Sequence, residues 1–220
     1  MISIGNDIIA LRTIDITRTL SFRFYSKILS VSEQQLYQEQ FTGIPFELFV
    51  WLLWSVKESV YKCLQRRRPG LTFSPVKIGL TRLVAPAVQS QPFHHQLIST
   101  GFIDAGCFCS EVLAESQTFY ARSVIFGAEA ICTVAQPAGN AYHNRVCWGI
   151  KQIAQTHPEN QSTAVRAFLL EKINTMFPGQ QVSIEKSASG YPFIVADGKE
   201  QDMAVSLSHH GEYAGYAIVV

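Results

Sequence analysis

The sequence has little charge and almost no excess of either sign. Asp, Glu, Lys and Arg make up 16% of the 220 residues and leave a formal net charge of +1. That excludes a nucleic-acid binder working by overall basicity, so any anionic partner must be met locally. The five cysteines, Cys63, Cys107, Cys109, Cys132 and Cys147, are odd in number, contain no CxxC pair and show no zinc-like spacing with histidine. This usage points to a reduced, cytoplasmic compartment. Cys107 and Cys109 alternate in an apolar run and are expected to point the same way into a sheet core. No apolar run is long enough for a membrane span: the greasiest stretch, Phe46 to Trp54, includes Glu47 and reads as the buried start of a central helix. Met1-Ile-Ser-Ile-Gly-Asn6 has no basic segment leading into an apolar one, and no signal peptide is expected there.

What is present is apolar material, 47% of the chain, enough for one large domain or two small ones with real cores. The most informative stretch is Trp54-Ser-Val-Lys-Glu-Ser-Val-Tyr-Lys62. At helical spacing Leu53, Val56, Val60 and Leu64 form an apolar stripe, and Trp54, Lys57, Glu58, Tyr61 and Lys62 share the other side. Glu58 and Lys62 could be a solvated i,i+4 ion pair or the acid and base of a site.

Ile2 to Leu11 predicts a short strand that delivers Asp7 to its end or edge, with an Asx-type cap as the alternative use of that acid. Phe22 to Leu29 and Ser32 to Tyr37 predict two short helices, the second capped by Ser32, and the central helix ends at Arg66-Arg-Arg-Pro-Gly70. Pro75 to Leu83, Leu97 to Ile103, Cys107 to Leu113, Phe119 to Phe126 and Ala130 to Val134 predict strands, with a turn at Asp104-Ala-Gly106 and a linker at Gln136-Pro-Ala-Gly-Asn140. Val146 to Ala154 and Thr163 to Phe177 have helical periodicity, the second with Ser162 as its N-cap, where an anion could also bind. Strands are expected at Val182 to Lys186, Met203 to Ser208 and Glu212 to Val220, with a turn at Gly190-Tyr191-Pro192. The order of elements in the last third loosely repeats the first half, so the expected class is α+β with two similar subdomains, 1–138 and 139–220, facing one another across a cleft.

Three patches taken together carry a resemblance: Ile4-Gly-Asn-Asp-Ile8, Trp54 to Lys62, and Ser206-Leu-Ser-His-His210 preceded by Gly190-Tyr-Pro192. In this order and spacing the chain resembles the 4'-phosphopantetheinyl transferase superfamily, with its G-x-D, W/F-x-x-K-E-x-x-x-K and S-x-S-H marks. The motif order is similar to the holo-acyl-carrier-protein synthase type, and the length to the two-halved type. The resemblance implies a pseudo-two-fold fold in which a monomer is competent. It also implies transfer of 4'-phosphopantetheine from coenzyme A to a serine of an apo acyl or peptidyl carrier protein, Mg²⁺-dependent, releasing 3',5'-adenosine diphosphate. Such an enzyme serves fatty acid, polyketide or nonribosomal peptide biosynthesis.

The same resemblance assigns Asp7 and Glu58 to Mg²⁺, with Glu58 or a water taking the serine proton, and Lys62 to the phosphates with Lys57 nearby. Ser208 and His209 would hold the 3'-phosphate or the pyrophosphate, backbone around Gly190, Tyr191 and Pro192 would receive the adenine, and Ser162 or Thr163 would add a phosphate contact. The chemistry suits these residue types, since Mg²⁺ takes one or two carboxylates and leaves its other positions to phosphate and water. The pattern departs from the family in places. Ile9 stands where a second acid is often found, Tyr191 where a lysine is common, and Arg66 to Arg68 replace glycines that often follow the helix. A non-catalytic relative that binds coenzyme A or a carrier protein, and a metal-dependent phosphohydrolase, are the competing readings.

Overall fold

In the computed structural model, residues 3–88, 90–101, 106–139, 145–154 and 157–220 are described. The expected turn at Asp104-Ala-Gly106, the end of the Leu97 to Ile103 strand and the last residue of the Gln136 to Asn140 linker lie wholly or partly outside them.

Helices and antiparallel sheets are mixed throughout. β1 (Gly5–Ala10) leads through three short helices, α1 (Ile16–Thr19), α2 (Phe22–Tyr25) and α3 (Val31–Leu36), to the long α4 (Phe46–Gln65). Then follow β2 (Gly79–Val84), β3 (Gln96–Thr100), β4 (Phe108–Ala114), β5 (Gln117–Phe126), β6 (Ala130–Pro137) and β7 (Val146–Gln152). The chain ends with α5 (Pro158–Met176), β8 (Val182–Lys186), β9 (Pro192–Ala196), β10 (Lys199–Glu200), β11 (Val205–His210) and β12 (Tyr213–Val219). Three sheets result, ordered β1-β6-β5-β4-β2, β11-β12-β7-β3 and β10-β9-β8.

Helix α4 packs against β1 and β6 of the five-stranded sheet. Leu53, Val56, Val60 and Leu64 are buried as expected, but so are Ser55, Ser59 and Cys63 on the adjoining face. These small side chains let helix and strand approach closely. A Cβ at Gly5 would collide with the carbonyl oxygen of Ser59, so only glycine fits there. Ser55 Oγ donates to Thr133 Oγ1 at 2.9 Å, and the serine hydroxyls thereby stay satisfied inside the packing.

The sequence expectations need four corrections here. Val146 to Ala154 is not helical but contains strand β7, whose Val146 and Trp148 pack with the β1 side while Cys147 packs with α5. A short run buried on both faces has no period to distinguish it from a helix. Helix α5 begins at Pro158, so Ser162 lies inside it and is not its N-cap. Ser30, and not Ser32, caps α3, in a reciprocal arrangement with Glu33. Cys107 is in the core, whereas Cys109 is only partly buried, among Arg82, Glu111, Tyr120 and Arg122.

Strand β3 precedes residue 138 yet pairs with β7, so the second sheet takes strands from both sides of the expected division. The two larger sheets meet where β1 lies across β11 and β12. One edge of β1 pairs with β6; the other is bonded by side chains of β11. Asn6 N–H donates to Ser206 Oγ at 2.9 Å and Ala10 N–H donates to His210 Nδ1 at 2.9 Å. The outer edge thus finds acceptors without a neighbouring strand.

Candidate active site

Asp7 lies in the middle of β1, opposite Thr133 of β6, and its side chain turns toward α4. Lys62 rises from α4 to meet it. Lys62 Nζ donates to the Asn6 carbonyl at 2.8 Å and lies 3.3 Å from Asp7 Oδ1 and 3.4 Å from Glu58 Oε1. Three of the predicted residues therefore converge, with one ammonium shared by two carboxylates.

Glu58 is oriented from behind. Trp54 Nε1 donates to its Oε2 at 2.8 Å, and the Trp54 ring is itself held edge-on by Phe73, with ring centres 5.3 Å apart. Tyr61 stacks on the same Phe73 and ties its hydroxyl to the Leu71 carbonyl at 2.9 Å. The tryptophan, glutamate and lysine of the motif are thus successive contacts along one helix face, one turn apart.

The electrostatics of this cluster are unbalanced. Asp7 is almost fully buried, and Oδ2 has no hydrogen-bond partner. Burial, and next in size the opposing pull of Lys62, set its carboxyl at about 7, raised from 3.8, with Glu58 adding to the rise. Burial acts to lower Lys62, but the two carboxylates outweigh it and its ammonium is held above the ordinary lysine value. A buried carboxylate oxygen without a donor is costly unless something cationic completes it. Asp7 and Glu58 could supply the one or two carboxylates that a magnesium ion needs, and the unpartnered Oδ2 is compatible with that role. Among the described residues no group of three His, Cys, Asp or Glu side chains could hold a metal.

A cleft of about 120 Å³ opens beside Lys62 and is lined by Gln65, Arg66, Gly190, Tyr191, Pro192 and Ser206, among others. It brings the Gly-Tyr-Pro turn alongside the end of α4. His209 is exposed at the end of β11, on the strand face opposite Ser208 and His210. Although the side chain reaches solvent, the partial burial of its ring lowers the imidazole from the usual value, and Lys62, His210 and Arg166 push in the same direction, which sets it in the field of the site's cations.

Lys57, Ser162 and Ser208 do not join the cluster. Lys57 is 1% exposed and donates to the Ile28 carbonyl at 2.6 Å and to Glu33 Oε2 at 2.7 Å, on the side of α4 away from Glu58. Helical spacing allowed it either face; a buried partner on α3 fixed the choice. Ser162 accepts a hydrogen bond from Arg166 one turn along α5. Ser208 is buried, and its Oγ accepts from Asn6 Nδ2 at 2.6 Å, so it braces β1 instead of facing the cleft.

Sequence reasoning missed four contributors. Glu33 could have been found only by pairing the acid of a capping box with an otherwise unmatched buried lysine. Ser206 and His210 hold the edge of β1, a role that period-two alternation from Ser208 would have suggested. Asn6 anchors β11 and gives its carbonyl to Lys62.

The model of the 4'-phosphopantetheinyl transferase superfamily matches residues 3–105, just under half of the chain, a span that holds Asp7, Glu58 and Lys62. No curated protein and no solved structure matches the chain significantly. No helix among the described residues is long and apolar enough to cross a membrane. Over that segment the chain is similar to the 4'-phosphopantetheinyl transferase superfamily.

Proposed function

We propose that this protein transfers the 4'-phosphopantetheine group of coenzyme A to a serine of an apo acyl or peptidyl carrier protein, with Mg²⁺, releasing 3',5'-adenosine diphosphate. The superfamily transfers phosphopantetheine, uses coenzyme A as donor and typically employs a divalent metal. The observation that carries the reading for this chain is the unfinished cluster at Asp7, Glu58 and Lys62, where a buried carboxylate oxygen lacks a partner beside a cleft.

Asp7 and Glu58 would hold the ion. When bound, a magnesium ion would neutralise and orient the donor diphosphate. Lys62, released from the carboxylates by that added charge, would donate to the diphosphate and to the phosphate that leaves. Glu58 is held by Trp54 through Oε2, which leaves Oε1 directed to the site, where Glu58 or a water beside it would accept the serine proton. His209 would add a donor to a phosphate oxygen, and backbone of Gly190, Tyr191 and Pro192 would receive the adenine along the cleft. Lys57, Ser162 and Ser208 have no part, because their polar atoms are engaged elsewhere.

A two-halved construction is part of the same proposal. The run β7, α5, β11, β12 with order β11-β12-β7 follows the connections of β1, α4, β5, β6 with order β5-β6-β1, and the cleft lies between them. A single chain then carries both sides of the site, which supports a competent monomer.

The test is mass spectrometry of several apo carrier domains incubated with coenzyme A, Mg²⁺ and the protein. A phosphopantetheine mass gain that vanishes in Asp7→Ala is expected. Tight coenzyme A binding with no mass gain on any carrier would replace this reading with the non-catalytic one, and free phosphopantetheine released without a carrier would replace it with hydrolysis.

A further inference from the structure

We infer that Arg66 binds a phosphate monoester of the donor, the ribose 3'-phosphate of coenzyme A, and that Tyr191 holds the guanidinium ready for it. This deepens the coenzyme A reading above and rests on it.

Arg66 is the residue at which α4 ends, one turn beyond Lys62. An arginine there could simply serve the carbonyls of the last turn. Its side chain instead leaves the helix and crosses to the other wall of the cleft. The guanidinium carbon sits 5.0 Å over the centre of the Tyr191 ring, and Nη2 reaches the Met203 carbonyl at 3.5 Å. Nη1 is buried and has no hydrogen-bond partner. Among the described residues no carboxylate forms an ion pair with Arg66; Glu200 and Asp202 act on it only at longer range. A buried guanidinium N–H without an acceptor is an unmet demand of the same kind as Asp7 Oδ2, with the opposite sign.

The two cations of the cleft are therefore different. Lys62 is matched by two carboxylates and belongs with the metal and the diphosphate. Arg66 is displaced along the helix by about 5.4 Å, one turn, and waits for an anion of its own. Coenzyme A presents that pattern: a diphosphate on the ribose 5' oxygen and a separate monoester at the 3' position. A planar guanidinium is shaped to take a phosphate through two parallel hydrogen bonds, and stacking on an aromatic ring keeps its plane fixed. Tyr191 supplies the ring.

Calorimetry with adenosine 3',5'-bisphosphate and with 5'-AMP isolates the monoester, and turnover with coenzyme A and 3'-dephospho-coenzyme A checks it on the donor. The native protein should bind the bisphosphate at least about ten-fold more tightly than 5'-AMP. Arg66→Gln should remove that preference while leaving 5'-AMP binding unchanged, Arg66→Lys should recover part of it, and Tyr191→Leu should fall between. Arg66→Gln that weakens both nucleotides equally, or that discriminates like the native protein, overturns the assignment and leaves the transferase reading standing. A native protein that binds neither nucleotide nor coenzyme A overturns both.

Discussion

Two lysines of α4, five residues apart, sit in opposite kinds of surroundings. Around Lys57 no buried polar atom lacks a partner: its amine reaches the Ile28 carbonyl and Glu33, and Glu33 also accepts from Ser30 N–H and from Leu80 N–H at 3.0 Å. Around Lys62 the same charges leave a remainder, an unpartnered Asp7 oxygen and an open cleft. The saturated buried pair joins α3, α4 and β2, whereas the unsaturated one costs the fold stability and leaves an atom able to take a ligand. The difference also explains why Glu58 and Lys62 face β1: the Lys57 anchor fixes the rotation of the helix about its axis.

The comparison can be broken most forcefully at Glu33. Glu33→Ala strands Lys57 in the interior and should cost about 3–5 kcal/mol in denaturant unfolding, and a Glu33→Leu, Lys57→Met pair should restore most of the loss. Equal destabilisation by the single and the double change would show that the pair is not an electrostatic unit.

Asp7→Asn should do the reverse. Transfer should fall by about 10² or more, as for other preorganised charges at a phosphoryl site, while the protein keeps its fold. Its stability above pH 7 should rise, because the buried carboxylate no longer has to ionise. A loss of stability comparable to that of Glu33→Ala would contradict the contrast between the two sites.

The acid group also sets a pH dependence. Asp7 binds its proton more tightly folded, at about 7, than unfolded, at 3.8. Its contribution to stability is therefore complete below about pH 4 and is lost as pH rises through about 7. Without metal, unfolding free energy should decline across that window, and Asp7→Asn should remove this part of the slope. Metal affinity and turnover should move the other way, rising through pH 7, since a ligand must lose its proton to bind. Titrations of Mg²⁺ affinity and of stability at pH 6 and 8 check both signs.

The smallest effect is expected at Trp54. Trp54→Phe keeps the contact with Phe73 but removes the donor to Glu58, and turnover should drop by several-fold, in line with about 1 kcal/mol for one hydrogen bond. A change in the pH profile, with melting temperature unaltered, would separate this orienting role from mere packing.

Much of this arrangement could be read from the chain. Motif spacing placed Asp7 on a strand and Glu58 and Lys62 one turn apart on a helix, and the three meet across β1 and α4. Period alone could not decide which face Lys57 takes, because the choice depended on an acid on another element. It also failed at Val146 to Gln152, where burial by β1 on one side and α5 on the other erased the alternation of a strand. The edge of β1 was legible only in part: alternation from Ser208 puts Ser206 and His210 on one face of β11, but the backbone groups they bond lie some 200 residues away in the chain.

The central claim is that Asp7 and Glu58 hold one ion beside the donor diphosphate. Anomalous diffraction from crystals soaked with Mn²⁺ and coenzyme A measures this directly. The account predicts one metal peak about 2.1 Å from an oxygen of each carboxylate, with Lys62 turned to the phosphates. Coenzyme A bound with its diphosphate elsewhere, or a metal peak touching neither Asp7 nor Glu58, would contradict it.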